Sequence, residues 1–332
     1  MSNVIRRGLR TECKSYFSLF TLHFSLFIAI VLASCSQRRQ EVMPSGADST
    51  ATDTTVLRVA VMPTMGCLPL YYATRSGLAD SLGLEIELLR FQAQMDIDTA
   101  ILRGHADIAY TDLIRTERLA KDVSLKPFAA AGEKLSLVSL KTKRVKRIDQ
   151  MKEQMIAISR LSATDYWCDH LLDSTHLGHD DIYRPQVNDV WLRAEMLRQG
   201  LIDAAMMGEP FATWMTQLGH KRLFSTQKGH ARLYAWAATD NVADSVQRAF
   251  RHMLDSATVL CGQGDQARLL RDILADEYRL PRELADTLRL PAPAVTSDIR
   301  PADVKEAQEW LKKRAGEKNK TEKGKRKKGR SK

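Results

Sequence analysis

The sequence has no cysteine framework. Its five cysteines are spread over 332 residues, and two of them, Cys13 and Cys35, fall in or beside an N-terminal apolar stretch. That leaves Cys67, Cys168 and Cys261 for the folded part, and three widely spaced cysteines do not make a disulfide scaffold. We expect three buried thiols; the alternative is one disulfide and one free thiol. A chain of this length can bury a large apolar core and corresponds to about two domains.

Catalytic motifs are also missing. The chain contains no Gly-x-Ser-x-Gly, no His-Glu-x-x-His and no phosphate-binding loop. Cys168 and His170 head a group of candidate metal ligands, but residues two apart lie on different faces of a helix, which does not suit a metal site. We therefore predict no catalytic residue, no metal and no cofactor.

Excess charge is absent outside the C-terminal tail. The segment 312–332 holds twelve Lys or Arg against Glu317 and Glu322, which accounts for the whole formal charge of +10. The basic composition therefore describes a tail and does not indicate a nucleic-acid-binding domain. We predict that residues 315–332 are a disordered extension; attraction to anionic lipid headgroups is the alternative, and nucleic acid is the least favoured partner.

An uncharged stretch, 15–34, lies near the N-terminus and follows four basic residues. Basic residues before a short apolar run are typical of a secretory signal. The run ends in Leu32-Ala33-Ser34-Cys35, which resembles the lipobox of bacterial lipoproteins and predicts a lipid on Cys35 that ties the protein to a membrane. An uncleaved membrane anchor is the alternative. We assign 1–34 to the signal peptide and 35–55, which is polar and aperiodic, to a flexible tether.

From Leu57 onward, strand-like and helix-like patterns alternate, as in α/β proteins with parallel sheets. The predicted order is strand, helix, strand, helix, strand, and this order occurs twice, over 57–110 and 155–207. Gly104 and Gly200 each stand between a helix and a strand and precede an Asp by three positions. Both suit the left-handed position that ends a helix. Further helices are predicted at 244–260, 266–278 and 301–314.

Ligands of such sheets bind beyond the carboxyl ends of the strands. Four loops meet this condition: 63–69, 111–113, 160–164 and 208–211. Because two come from each half of the repeat, we expect the site in a cleft between two lobes.

Several short motifs resemble those of the substrate-binding proteins of ABC importers for nitrate, sulfonate, taurine and thiamine-precursor-type ligands. They include Val59-Ala60-Val61-Met62-Pro63-Thr64, the segment 104–112, Gly200-Leu201-Ile202-Asp203-Ala204-Ala205 and Glu209-Pro210-Phe211. The resemblance covers about 57–260 and implies a type II periplasmic binding protein fold, with two α/β lobes joined by two crossovers. On that template lobe one comprises 56–138 plus 238–314, and lobe two comprises 139–237. The lobes would close over a ligand by a hinge motion.

Candidate ligand-binding residues follow from the loops. Ser162 fits the capping position of a helix whose free amides can receive a polar or anionic group. Asp112 and Glu209 can accept from a donor-rich ligand, although Asp112 can also cap a helix and Glu209 can steady the hinge. The predicted ligand-binding set is Thr64, Met65, Gly66, Tyr71, Thr111, Asp112, Ser159, Arg160, Ser162, Ala163, Thr164 and Glu209.

The predicted function is that of an exported, lipid-anchored, monomeric receptor that binds a small molecule and delivers it to an ABC permease. One rival is an enzyme on the same scaffold, related to pyrimidine synthases, for which Cys67 would be the reactive residue. Another is a sensor domain that reports its ligand to a signalling partner. The residues leave the charge of the ligand open, because Arg160 favours an anion whereas Asp112 and Glu209 favour a donor or a cation.

Overall fold

The structure, a computed structural model, describes residues 56–226, 230–288 and 293–329. The predicted signal peptide, the predicted lipidation site Cys35 and the predicted tether lie outside the described residues. Within these ranges no helix combines the length and the apolar character that crossing a bilayer requires.

Five strands form the first sheet. They are β1 (Leu57–Val61), β2 (Ile86–Arg90), β3 (Ile108–Asp112), β4 (Leu125–Ala130) and β9 (Tyr234–Thr239), arranged in the order β2-β1-β3-β9-β4. β1 pairs in parallel with β2 and β3, and β9 pairs antiparallel with β3 and β4. All five residues of β3 are buried, as expected for a central strand covered on both faces.

Four strands form the second sheet, in the order β6-β7-β5-β8. They are β5 (Leu135–Ser139), β6 (Ile156–Ala157), β7 (Ala204–Gly208) and β8 (Lys221–Ser225). β6 and β7 are parallel, whereas β5 is antiparallel to both of its neighbours, β7 and β8. The middle strand expected within 155–207 is not regular, because residues 181–186 pair only through two isolated bridges, at Tyr183 and Gln186.

Eleven described α-helices cover these sheets: α1 (Leu68–Arg75), α2 (Leu78–Ser81), α3 (Gln94–Leu102), α4 (Leu113–Leu119), α5 (Ala163–Asp173), α6 (Val190–Arg198), α7 (Phe211–Gln217), α8 (Asp244–Cys261), α9 (Ala267–Asp276), α10 (Arg282–Thr287) and α11 (Pro301–Gly329). Gly104 and Gly200 have φ of 66° and 75°, which confirms the left-handed conformation predicted for both. Gly77, with φ of 75°, divides the first helix expected within 57–110 into α1 and α2.

The chain changes sheet twice, between β4 and β5 and between β8 and β9. The sequence placed these changes at 138 and 237, which puts four of the five β5 residues in lobe one and four of the six β9 residues in lobe two. The pairing corrects both boundaries, because β5 belongs wholly to the second sheet and β9 wholly to the first. Buried strands carry no marker of the sheet they join, so the sequence pattern could not place the crossovers more closely.

The last helix, α11, contacts elements on both sides of the crossovers. Trp310 Nε1 donates to Asp169 Oδ2 of α5 at 2.9 Å, and Gln308 Nε2 donates to Glu117 Oε2 of α4 at 3.0 Å. Its backbone is helical to Gly329, whereas composition predicted an unfolded tail from 315. Lys, Arg and Glu are good helix formers, and extending an existing helix avoids the cost of nucleation.

Candidate functional site

A small cavity of about 40 Å³ lies where the two sheets meet. It is lined by one or more residues from each of the four predicted loops, namely Thr64, Asp112, Ser162, Thr164 and Gly208. The remaining lining residues are Met62, Gln94, Tyr110, Glu133, Leu135, Ser159, Asn188, Val190, Arg193 and Tyr234. We call this the cleft cavity. A water molecule needs roughly 10–15 Å³, so in this closed arrangement there is room for only a few small atoms.

Asp112 ends β3 and is almost completely buried. One carboxylate oxygen accepts from the backbone N–H of Arg115 at 3.0 Å and thereby caps α4. The backbone N–H of Ala163, at the start of α5, faces the same carboxyl and favours its ionised form. Burial outweighs these effects and raises the pKa of Asp112 to about 6. A carboxylate of lobe one therefore lies against the first turn of a lobe-two helix.

Arg115 connects the two sides of the cavity. Its guanidinium is buried and forms an ion pair with Asp98, while Nη2 donates to Ser159 Oγ at 2.8 Å. Ser159 Oγ in turn donates to Asn188 Oδ1 at 3.0 Å. This chain of contacts runs from α4 across to the loops that precede α5 and α6.

Arg193 is the only Lys, Arg or His among the described residues that line the cleft cavity. It is buried, and its donors are directed at backbone carbonyls, at 2.6 and 2.8 Å to Val187 and 2.7 Å to Met206. Burial lowers its pKa to about 10, so it stays protonated at neutral pH. Its hydrogen bonds hold the loop before α6 against the end of β7.

Glu133 lies in the crossover between β4 and β5. Its Oε2 accepts from the backbone N–H of Gly66 at 2.9 Å and from the Tyr110 hydroxyl at 3.1 Å. Its Oε1 is closed off from solvent and has no hydrogen-bond partner. Burial, with a smaller effect of the Glu209 carboxylate, raises the pKa of Glu133 to about 7, against the lowering effect of the Gly66 and Glu209 backbone N–H groups and the Tyr110 hydroxyl.

The loop that precedes α5 supplies hydrogen bonds to the first turn of this helix. Ser162 Oγ accepts from the backbone N–H of Thr164 at 3.2 Å and donates to the carbonyl of Ser159 at 2.7 Å. Thr164 Oγ1 accepts from the backbone N–H of Ser159 at 2.9 Å. The capping role predicted for Ser162 is confirmed. Ala163 is buried between these residues.

Of the twelve predicted site residues, seven do not line the cleft cavity, namely Met65, Gly66, Tyr71, Thr111, Arg160, Ala163 and Glu209. Tyr71 is in the core of the first lobe, edge-on to Tyr278, because it lies on the apolar face of α1. Thr111 is buried within β3, one position before the cavity, and its side chain points to the other face because strand residues alternate. Arg160 is exposed and donates to the carbonyl of Arg184 at 3.3 Å. Met65 and the Gly66 side of its loop face a separate pocket.

That separate pocket, of about 160 Å³, lies beside the crossover and is lined by Met65, Gly66, Gly132, Glu209 and Trp236, among others. Glu209 is buried and forms an ion pair with Arg222, with 3.0 Å between Oε1 and Nη1. Its Oε2 accepts from the backbone N–H of Thr213 at 2.8 Å, and its carbonyl accepts from the backbone N–H of Met65 at 3.2 Å. These contacts fit the hinge role among the two roles predicted for Glu209.

The sequence missed much of the polar lining. Gln94, Tyr110, Glu133, Asn188, Arg193 and Tyr234 were not among the predicted site residues. Asn188 and Gln94 follow strand-like segments and could have been found by the same rule on strand ends. Glu133 and Tyr234 flank the crossovers, whose position the sequence pattern does not reveal.

The three cysteines of the described part are free and buried, which confirms the expectation of buried thiols. Burial raises the pKa of each to about 12. Cys67 receives a weak contact of 3.8 Å from the Thr64 hydroxyl and does not line the cleft cavity.

Solved structures share this architecture at low sequence identity. The alkanesulfonate-binding protein SsuA from Xanthomonas axonopodis pv. citri matches with a TM-score of 0.64 at 16% identity, covering 78% of this chain and 91% of that one. The periplasmic aliphatic sulphonate binding protein SsuA from Escherichia coli matches with a TM-score of 0.62 at 16% identity, over 76% and 84%. The periplasmic nitrate-binding protein NrtA from Synechocystis PCC 6803 gives 0.62 at 14% identity, over 74% of each. The fold is therefore that of the type II periplasmic binding proteins.

Comparison with curated protein sequences gives no match. A family of sequences, described as NMT1/THI5 like, matches residues 65–232. That segment runs from the loop after β1, through all of the second sheet, to the residues just before β9. It includes most of the residues that line the cleft cavity. The chain belongs to the NMT1/THI5-like family.

Proposed function

We propose that this protein is an extracytoplasmic solute-binding lipoprotein that captures a small molecule between its two sheets and delivers it to an ABC importer. The observation that carries the proposal is the cleft cavity, because all four loops at the carboxyl ends of the strands contribute to its lining. Each crossover is one short segment, an arrangement that allows two rigid units to rotate about a hinge. The similar structures named above are binding proteins for sulfonates and nitrate, which supports a solute-binding role.

The site favours capture over catalysis. The enzyme hypothesis required Cys67 as a nucleophile, but a thiol acts as the thiolate, and burial holds the pKa of Cys67 near 12. Cys67 also lies outside the cleft cavity. The described lining residues offer carboxyls, hydroxyls and amides, most of which hydrogen-bond within the protein, and none of them is a thiol.

Cell location and partners follow from the N-terminus and from the fold. A signal peptide followed by a lipid on Cys35 would hold the protein on a bacterial membrane, facing the periplasm or the exterior, with residues 35–55 as the tether. An ABC permease is the proposed docking partner, and the protein acts as a monomer. The Lys- and Arg-rich segment after 312 has the charge to contact anionic headgroups of the same membrane.

Native mass spectrometry of the full-length chain, purified from cells in detergent, tests the function. We expect one non-covalently bound small molecule of defined mass per chain. Asp112→Asn keeps a good capping residue for α4 and should reduce the bound fraction, whereas Asp240→Asn, which changes an exposed carboxylate paired with Lys126, should not. A chain that carries no small molecule, or turnover of the molecule that stops in Cys67→Ala, would contradict the proposal.

A further inference from the structure

The charges around the cleft cavity bear on the class of solute. Three carboxyl groups lie at or beside it, those of Asp98, Asp112 and Glu133, against the guanidiniums of Arg115 and Arg193. Both guanidiniums are paired within the protein: Arg115 donates to Asp98 and Ser159 and its buried Nε, which makes no hydrogen bond, lies 3.7 Å from Asp112 Oδ2, and Arg193 donates to backbone carbonyls. Among the described lining residues, none therefore offers an uncommitted cationic group to an anion.

The N–H groups at the start of α5, which could otherwise bind an anion, already have acceptors within the protein. The first N–H groups of a helix attract anions because they lack partners within the helix. In α5 the N–H of Ala163 faces the Asp112 carboxyl, that of Thr164 donates to Ser162 Oγ, and that of Asp165 donates to the Ser162 carbonyl at 3.0 Å. An anionic solute would have to displace a carboxylate of the protein from this position.

One carboxylate oxygen of a residue that lines the cleft cavity lacks a well-formed hydrogen bond. Glu133 Oε1 is shielded from solvent and has no partner at hydrogen-bonding geometry, although the backbone N–H of Glu209 favours the ionised form of this carboxyl and Oε2 has two donors. Leaving a buried acceptor without a partner costs free energy comparable to a lost hydrogen bond. A donor supplied by the solute would remove that cost. The stacked rings of Tyr110 and Tyr234, 5.7 Å apart and 13° from parallel, flank the same space.

We infer that the solute presents a positively charged nitrogen group, of the amine or amidine class, to Glu133 and Asp112. This inference rests on the proposed solute-binding function. It separates the protein from the sulfonate- and nitrate-binding structures that share its fold. Carboxylates paired with a nitrogen cation give charge-assisted hydrogen bonds, which are about twice as strong as neutral ones.

Three probes of similar size test the inference with the full-length chain in detergent at pH 8. Acetamidinium and acetate are nearly isosteric and of opposite charge, methanesulfonate represents the sulfonates, and each carries one methyl group that saturation-transfer NMR can follow. We expect saturation of acetamidinium, with a Kd at least about 10-fold lower than that of acetate or methanesulfonate.

Two matched variants assign the effect to the cavity. Glu133→Gln keeps an oxygen for Gly66 and Tyr110 and removes the charge, and it should weaken acetamidinium binding by about 10-fold or more. Glu87→Gln makes the same change at an exposed residue of β2 and should leave the Kd unchanged. Circular dichroism of both variants verifies that they are folded.

The outcomes separate the inference from the proposed function. Tighter binding of acetate or methanesulfonate than of acetamidinium would overturn the inference and leave solute binding standing. Acetamidinium binding that Glu133→Gln does not weaken would also overturn it, because the site would then lie elsewhere. Failure of all three probes to bind would overturn the inference, whereas the function would be overturned only if native mass spectrometry also found no bound small molecule.

Discussion

At the scale of single residues, Gly66 lines the separate pocket and packs directly against Tyr110, which lines the cleft cavity. Its N–H donates to Glu133, and an added Cβ would lie 2.3 Å from the Tyr110 hydroxyl oxygen. No side chain fits at that distance unless Tyr110 moves. The Tyr110 ring lines the cleft cavity and its hydroxyl donates to Glu133. A side chain at residue 66 would therefore disturb the cavity as well as the packing.

We therefore expect Gly66→Ala to lower the free energy of unfolding by about 1–3 kcal/mol, the usual cost of overpacking. Gly264→Ala is the matched control, because nothing lies within 4 Å of the added Cβ there, and it should change stability by less than about 0.5 kcal/mol. Urea unfolding of both variants measures the difference. Equal stability of the two variants would show that Tyr110 is not held in the position described.

Two acidic residues, Asp112 and Glu133, line the cleft cavity, but the sequence predicted only one of them. Asp112 was predicted from its place at a strand end, and it lines the cleft cavity. Glu133 was missed, because an acidic residue in a short polar segment is ordinary in a surface loop. What distinguishes it is burial against Tyr110 and Gly66, residues 23 and 67 positions away in the chain.

At the scale of elements, the sequence did not predict that α11 packs against helices of both lobes. Its amphipathic pattern predicted a helix but not what the helix covers. The apolar side packs with α4 of the first lobe and α5 of the second in one hydrophobic cluster that includes Leu113, Trp167 and Trp310. Polar contacts reinforce this packing, with Tyr166 donating to Glu306 and Lys313 paired with Asp173 at 3.0 Å.

Trp310→Ala should accordingly cost about 3–5 kcal/mol of unfolding free energy, as large aromatic truncations in cores do. Trp310 is only 8% exposed, and the change also removes the donor to Asp169. Lys305→Ala on the same helix is the control, because its ion pair with Glu309 is exposed and 3.8 Å long and is worth little. If urea denaturation gave the same midpoint for both variants, α11 would not be anchored as the structure shows.

The regular elements were otherwise predictable to within a few residues. β1, β3, α3, α5, α6 and α8 all lie where apolar periodicity and Gly or capping residues placed them. β4 and β8 were not predicted, because their alternation is weak: β8 is exposed or half-buried along its whole length. Such edge strands are specified by the partner they pair with more than by their own residues.

At the scale of the whole molecule, the buried carboxyls should set how stability depends on pH. Burial raises the pKa of Asp112 from 3.8 to about 6 and that of Glu133 from 4.5 to about 7. The folded state therefore holds these protons more tightly than the unfolded state. Their contribution is complete below the ordinary pKa values and is lost as pH rises through the folded ones.

We expect the free energy of unfolding of the ligand-free protein to fall between about pH 4 and pH 7, by up to roughly 1.4 kcal/mol for each unit of pKa shift. Glu133→Gln, which resembles the protonated side chain, should flatten this decline between pH 5 and 7, whereas Glu87→Gln serves as the exposed control. Urea unfolding across that range provides the measurement. A decline of equal slope in Glu133→Gln would mean that Glu133 is not the group that titrates.

By itself, the sequence determined the repeated α/β pattern, the helix ends at Gly104 and Gly200, the capping at Ser162 and the strand ends from which a cleft was expected. These are local properties, because a helix, a cap or a buried strand is encoded by residues within one or two turns of each other. The tertiary structure alone decided which strands share a sheet, where the chain crosses between lobes, and that Asp112 and Glu133 face one cavity. Those outcomes depend on contacts between residues far apart in the chain, whose side chains become buried and change their chemistry only when the two sheets meet.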